Sequence, residues 1–403
     1  MRVATLASLW WPGDHRAGDL LSDNALLQAM VRVEQAWLDS LVAAGVAPQD
    51  AAADLRPASA VVDVREVAIA AETTGTPVMA LVDALRAQAA ASTAMWLHRG
   101  LTSQDVLDTA IVLCAEDAVS AIRTSIATQV CLLGDLVRAH RSTPAVARTL
   151  TRPALPTTFG ARVAGWLHTV LDADDALAGI ARPVQLGGAA GTLAALVEMA
   201  GPRVADVRSR FAAGLGLGVT SPPPTRRTWV TRIGDGVATA NDAWGRIARD
   251  VLELGRANEV ADGSAGGSSS MPQKENPALA VLVRRAALAA PAAASPLHLA
   301  AAEQVDERAD GAWHVEWQTL ALLLRRTVVA ASQIAEMLER LVVRPEIMAE
   351  NLLKLGDTLL GEQRVMATIA GRDPAADYLG VTDELIDDAL ARAMTRVLGA
   401  GIR

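Results

Sequence analysis

The chain has 403 residues, 51% apolar and 20% charged, enough to bury the cores of two or three domains and too apolar for a disordered chain. Its net charge of −8, with no basic run, argues against a nucleic-acid partner, so an anionic ligand must meet a local cluster of Arg and Lys. Aromatic residues make up only 3%, and the alanine, leucine and valine that remain favour packed helices over a β-sandwich.

Ser22-Asp23 caps a helix starting at Asn24, with Leu27, Met30, Val33, Trp37 and Leu41 at helical spacing and Gly45 as its stop. A second amphipathic stretch covers Val64–Ala71 before Gly75-Thr76-Pro77, and a third covers Val78–Trp96. These short elements form a first region, residues 1–101. From Ser103 to His140 there is no Pro and one Gly, Gly134, over 38 residues. A helix of that length spans about 57 Å, which suits a bundle of long helices. Pro156–Ile180, Thr228–Asn258 and Pro277–Leu341 repeat the pattern, the last with breaks expected around Pro291–Pro296 and Asp310-Gly311. Residues 102–343 therefore read as a bundle of about five long helices. Beyond Arg344-Pro345, Gly356, Gly361, Gly371 and Gly380 punctuate a third region, 344–403, of shorter helices. The fold class is all-α.

Cys114 and Cys131 fit neither a disulfide framework nor a metal site and are expected as buried thiols. The N-terminus lacks a signal-type apolar region, and no charge-free apolar run reaches about 18 residues. No membrane partner is expected, and the chain reads as cytoplasmic.

Five stretches carry chemistry. His98-Arg99-Gly100-Leu101-Thr102-Ser103-Gln104-Asp105 puts two hydroxyls at the mouth of the long helix, where free amides suit a carboxylate; the same residues also read as an ordinary cap. Arg148-Thr149-Leu150-Thr151-Arg152-Pro153 offers two cations, and Arg152 could pair with a substrate carboxylate or stand solvated. Pro183–Leu193 is glycine-rich around Gln185. Glu307-Arg308 reads by itself as a surface ion pair. Gly263–Pro277 packs glycines, Ser268-Ser269-Ser270, Lys274 and Asn276 between apolar helices. A linker needs the glycine and serine but not the Met271-Pro272-Gln273-Lys274-Glu275-Asn276-Pro277 behind them.

That last segment resembles the signature loop of the fumarase/aspartase superfamily, Gly-Ser-Ser-x-Met-Pro-x-Lys-x-Asn-Pro, at Gly267, Ser268, Ser269, Met271, Pro272, Lys274, Asn276 and Pro277. The resemblance implies that Ser268 is the base removing a proton beside a carboxylate, with Lys274 and Asn276 holding that carboxylate. Thr102-Ser103-Gln104-Asp105-Val106-Leu107-Asp108-Thr109 and the Pro183–Leu193 and Glu303–Trp317 stretches are similar to 3-carboxy-cis,cis-muconate cycloisomerases. His98 matches a histidine kept near the site. Thr102, Ser103, Arg148, Thr149, Arg152, Gln185 and Arg308 then become substrate-binding candidates. Leu150 stands where argininosuccinate and adenylosuccinate lyases place a histidine, Arg152 replaces a usual glutamine, and Glu275 stands where close relatives often have arginine.

The resemblance covers nearly the whole chain, with departures at Leu150–Pro153, at Glu275 and in a shortened C-terminal region. It implies three helical domains and a homotetramer whose long helices form a twenty-helix core, with each site shared by three subunits. It also implies a small polycarboxylate substrate and no metal or organic cofactor. The activity it implies is lactonising cycloisomerisation of 3-carboxy-cis,cis-muconate in the β-ketoadipate route of aromatic-acid breakdown. A C–N lyase releasing fumarate from a substituted succinate such as nitrosuccinate is the alternative, and a non-catalytic scaffold a remoter third.

Overall fold

The computed structural model describes residues 8–219, 224–264, 271 and 276–399. Its helices in chain order are α1 (Asp23–Ala43), α2 (Arg56–Ser59), α3 (Val64–Thr74), α4 (Val78–Gln88), α5 (Ala91–Trp96), α6 (Ser103–Ala139), α7 (Phe159–Ala178), α8 (Ala194–Ala200), α9 (Val204–Leu215), α10 (Thr228–Arg256), α11 (Ala278–Ala302), α12 (Ala312–Glu339), α13 (Pro345–Leu355), α14 (Gly361–Ile369) and α15 (Thr382–Gly399). Four short strands accompany them: β1 (Pro144–Thr149), β2 (Arg152–Thr158), β3 (Val260–Ala261) and β4 (Val342–Val343). The fold is mainly helical, as composition and periodicity require.

The proline-free stretch forms one helix, α6, as expected. Other expectations need correction. Val78–Trp96 divides into α4 and α5. Pro291 and Pro296 do not interrupt α11, which runs through both. Each proline removes one backbone bond, but the alanine-rich turns around them supply strong helix formers that hold the ladder on either side. Residues 156–158 belong to a hairpin, not to the start of α7. Cys114 is buried but Cys131 is exposed, because it lies off the α6 face that buries Val130, Leu133 and Val137. Burial pushes the Cys114 thiol up to about 12, so it is inert at neutral pH.

The chain divides into two compact units. The first comprises Met1–Ala121, Gly179–Gly236 and Pro291–Val328. Ser22 Oγ accepts the Ala25 N–H at 3.0 Å, so α1 begins where its cap dictates. Leu27, Met30, Val33, Trp37 and Leu41 are all buried along one face of α1. Trp37 meets Phe211 of α9 edge to face, with ring centroids 5.4 Å apart.

The second unit comprises Ile122–Ala178, Val237–Ala290 and Val329–Arg403. Inside it Trp244 Nε1 donates to Gln129 Oε1 at 2.8 Å, and Gln129 Nε2 donates to the Ala331 carbonyl at 3.1 Å, so both buried polar side chains are satisfied. The C-terminal helix α15 lies along α7, where Arg392 pairs with Asp172 and Asp175 and Arg396 with Asp174. Strands β1 and β2 pair antiparallel with Thr149 opposite Arg152, leaving Leu150-Thr151 as a two-residue tip. One helix among the described residues, α11, is long and apolar enough by length and composition to cross a membrane; it carries Arg284, Arg285 and both prolines.

Candidate active site

Five of the residues singled out in the sequence, His98, Thr102, Ser103, Gln185 and Arg308, lie in the first unit. Helix α6 starts at Ser103, and the Thr102 N–H donates to Asp105 Oδ2 at 3.0 Å, a self-made cap. Asp105 reaches further than a cap needs. It also accepts from the Gly187 N–H at 2.7 Å and the Gly188 N–H at 3.0 Å, tying the glycine-rich loop to the helix start. Gly188 has φ +66, the left-handed region that glycine enters without strain. Burial pushes the Asp105 carboxyl up to about 7, against the pull of those three N–H donors and with the help of the nearby Asp108 charge.

Arg308 closes the group. One guanidinium nitrogen donates to Thr102 Oγ1 at 2.9 Å and to the Ala189 carbonyl at 3.3 Å. Its Nε–H is buried without a partner among the described residues, and so is the Gln185 side-chain nitrogen. The Gln185 backbone is fixed at both ends by Thr109 Oγ1, at 3.0 and 3.1 Å. A buried, unpaired donor on a cation that already holds the Thr102 hydroxyl is what an anionic ligand satisfies.

His98 sits four residues before Thr102 with φ +61, a left-handed conformation unfavourable for a side-chain-bearing residue. Its Nδ1 lies 2.6 Å from Oε1 of Glu34, and the two side chains are 10% and 0% exposed. Trp37, one turn beyond Glu34 on α1, donates its indole N–H to the Arg99 carbonyl at 2.8 Å. Below the helix start, buried Arg227 pairs with Asp108 and Glu316, and the Trp313 indole N–H donates to Asp108 at 2.8 Å.

The remaining described candidates lie in the second unit. Arg148 and Thr149 end β1, and Arg152 opens β2 across the tip. Arg148 is committed to buried Glu259 through bonds of 2.9 and 3.3 Å, and Asn351 donates to the same carboxylate at 3.1 Å. Arg152 is exposed. Leu150 and Thr151 both have positive φ, +48 and +72, in a turn that ordinarily takes Asn-Gly. Leu150 is 95% exposed, so a strained, apolar tip projects from the unit.

Asn276 stands at the foot of the signature loop. Ser264 Oγ donates to Asp262 at 2.6 Å, lies 3.0 Å from the Asn276 carbonyl, and accepts the Ala278 N–H at 2.9 Å. Asp262 also accepts the Ala280 N–H at 3.1 Å in the first turn of α11. Gly263 has φ +64, and a Cβ there would run into the Arg340 carbonyl. The two feet of the loop are thereby clasped. Ser268 and Lys274 lie outside the described residues, as do Ser269 and Glu275.

Residue-by-residue reading missed Glu34, Glu259, Arg227 and the Asp262–Ser264 clasp. Glu34 had a signal: it lies on the apolar face of α1, four residues after Met30 and three before Trp37, where a charge needs a partner. The other three had none at the level of spacing. Among the described residues no group of three or more His, Cys, Asp or Glu side chains could hold a metal ion.

The chain belongs to the fumarase/aspartase superfamily of lyases: residues 17–290 match the Lyase_1 family, described as lyase. It is 41% identical over 378 residues to nitrosuccinate lyase of Streptomyces davaonensis, covering 89% of this chain and 80% of that protein. It is 34% identical over 388 residues to 3-carboxy-cis,cis-muconate cycloisomerase of Bradyrhizobium diazoefficiens, covering 92% of this chain and 83% of that one. The fold matches the crystal structure of 3-carboxy-cis,cis-muconate lactonizing enzyme from Pseudomonas putida with a TM-score of 0.83, at 28% identity over 94% of this chain and 96% of that one. The protein is an enzyme of this lyase and cycloisomerase group.

Proposed function

We propose that the enzyme is a C–N lyase that eliminates nitrite from nitrosuccinate and leaves fumarate. The observation that carries this reading is the 41% identity to nitrosuccinate lyase, against 34% to the cycloisomerase. Charge supports it. Glu275 removes a cation from the loop, which suits a substrate with two carboxylates and a nitro group better than one with three carboxylates.

In the proposed step Ser268, as the alkoxide, takes a proton from the carbon beside one carboxylate. Charge develops on that carboxylate, where Lys274 and Asn276 hold it. The C–N electron pair departs with nitrite as the C=C bond of fumarate forms. Nitrite leaves as a stable anion and needs no proton. Thr102, Ser103, Gln185 and Arg308 bind the other anionic end, His98 faces the substrate near them, and Arg148, Thr149 and Arg152 approach on the hairpin. No metal or organic cofactor takes part.

The assembly proposed is a cytoplasmic homotetramer, with the regions 1–101, 102–343 and 344–403 as its domains and each site shared by three subunits. Supporting it, Leu288 and Leu299 on the long helix α11 are 71% and 65% exposed in the single chain.

A second reading, 3-carboxy-cis,cis-muconate cycloisomerase, is favoured by the TM-score of 0.83 to the lactonizing enzyme. One assay separates the two. Purified enzyme is given nitrosuccinate or 3-carboxy-cis,cis-muconate while ultraviolet absorbance and nitrite are followed. The lyase reading requires fumarate and nitrite in equal amounts from nitrosuccinate, abolished in Ser268→Ala and Lys274→Ala with assembly unchanged. Loss of the muconate diene without nitrite release from nitrosuccinate would replace it with the cycloisomerase.

A further inference from the structure

We propose that Glu34 is the positioning residue of His98: its carboxylate accepts the Nδ1–H, fixing the tautomer and leaving Nε2 as the ring atom that meets the substrate. The inference deepens the reading of His98 as a site residue and rests on it. Four observations carry it. The Nδ1–Oε1 distance is 2.6 Å, in the range of charge-assisted hydrogen bonds. The Glu34 side chain is 0% exposed, and His98 is its only partner among the described residues, since Oε2 has none. A buried carboxylate needs a donor, and His98 is the one Glu34 has.

The backbone agrees. His98 holds φ +61, and the Trp37 indole clamps the next carbonyl at 2.8 Å, so one helix face fixes the ring and the chain that bears it. Finally, Nε2 of His98 has no partner among the described residues and is not among the buried unsatisfied atoms, which makes it the accessible edge of the ring. Which ring nitrogen carries the proton is set by the bond the other makes. A neutral His98 held this way presents a lone pair at Nε2, and a protonated one presents an N–H there.

The same contact would serve a purely structural role, and the two roles predict opposite results for an apolar isostere. Glu34→Leu removes the acceptor while filling similar volume; it leaves the His98 Nδ1–H unpaired, so some loss of stability is expected in either role, and turnover and the ring signals tell the roles apart. With nitrogen-15-labelled histidine in the full-length assembly, the His98 ring signals, assigned against His98→Gln, report the tautomer with no substrate present. In its neutral form the wild-type ring should show a protonated Nδ1 and an unprotonated Nε2. In Glu34→Leu this preference should be lost and kcat per assembled enzyme should fall about 100-fold, with KM within about threefold. Glu34→Gln, which keeps an acceptor, should recover part of kcat.

A wild-type His98 with Nδ1 unprotonated, or a Glu34→Leu enzyme within about threefold of wild-type kcat, would overturn the proposal. If Glu34→Leu does not assemble, Glu34→Gln decides: the downfield Nδ1 proton must move upfield, and its persistence unchanged counts against the carboxylate. The ring signals need no substrate, and kcat is read on whichever substrate the enzyme turns over. Failure of the nitrosuccinate reading is therefore seen separately from failure of this one.

Discussion

Asp105 sets two forces against each other, and pH titration of stability reads the winner. The carboxyl is fully buried, and burial pushes it up to about 7, although the N–H groups of Thr102, Gly187 and Gly188 all favour its ionised form. An unfolded aspartate titrates near 4. Between those values the folded chain holds a proton that the unfolded chain has released. The stability linked to that proton is therefore fully present below about pH 4 and is lost as pH rises through about 7. Three units of separation correspond to about 4 kcal/mol per chain, an upper limit for one group. Asp105→Asn cannot titrate, so its stability relative to wild type should improve between pH 5 and pH 8, most of it before pH 7. Urea unfolding at both pH values, at one protomer concentration, measures the difference. A stability gap between wild type and Asp105→Asn that stays constant would refute the reasoning and show that the three N–H donors keep the carboxylate ionised throughout.

Arg227→Met strands Asp108 and Glu316 in the interior and should lower stability by about 3–5 kcal/mol, read by chemical unfolding. Glu316→Gln should stay within about 1 kcal/mol, because Arg227 keeps both bonds to Asp108 and burial already raises the Glu316 carboxyl. Replacing Leu150-Thr151 by Asn-Gly supplies the residues that a tip with two positive φ values favours, and should raise stability by about 1–2 kcal/mol. If the tip reaches a substrate in the assembled enzyme, kcat/KM should fall while the melting temperature rises; a rise in both would make the strain incidental.

The long helices were legible because periodicity and the absence of breakers act locally. The 37 residues of α6 follow from a stretch without proline and with one glycine. The hairpin was not legible. Pro153 and Pro156 lie inside β2, and its tip is Leu-Thr, so both the strand and the turn defy their own propensities. The family resemblance supplied the polar candidates at 98–103, 148–152, 185, 276 and 308, but not what holds them. Arg148 illustrates the limit. In sequence it is one more cation beside a hydroxyl, yet its guanidinium is bound by Glu259, 111 residues away, whose carboxylate also accepts from Asn351.

That commitment changes the electrostatics of the proposed site. A cation already paired with a buried carboxylate adds little net charge for a substrate, whereas Arg152 is exposed and Arg308 keeps a buried, unpaired Nε–H. In the site we propose, the exposed Arg152 is the hairpin arginine with charge to spare for an anion. Arg148 acts instead on the hairpin: its pair with Glu259 anchors β1 beside the segment that leads through Asp262 into the signature loop. In that proposed site, anion selection and loop placement fall to different cations four residues apart, a division that side-chain type alone cannot express.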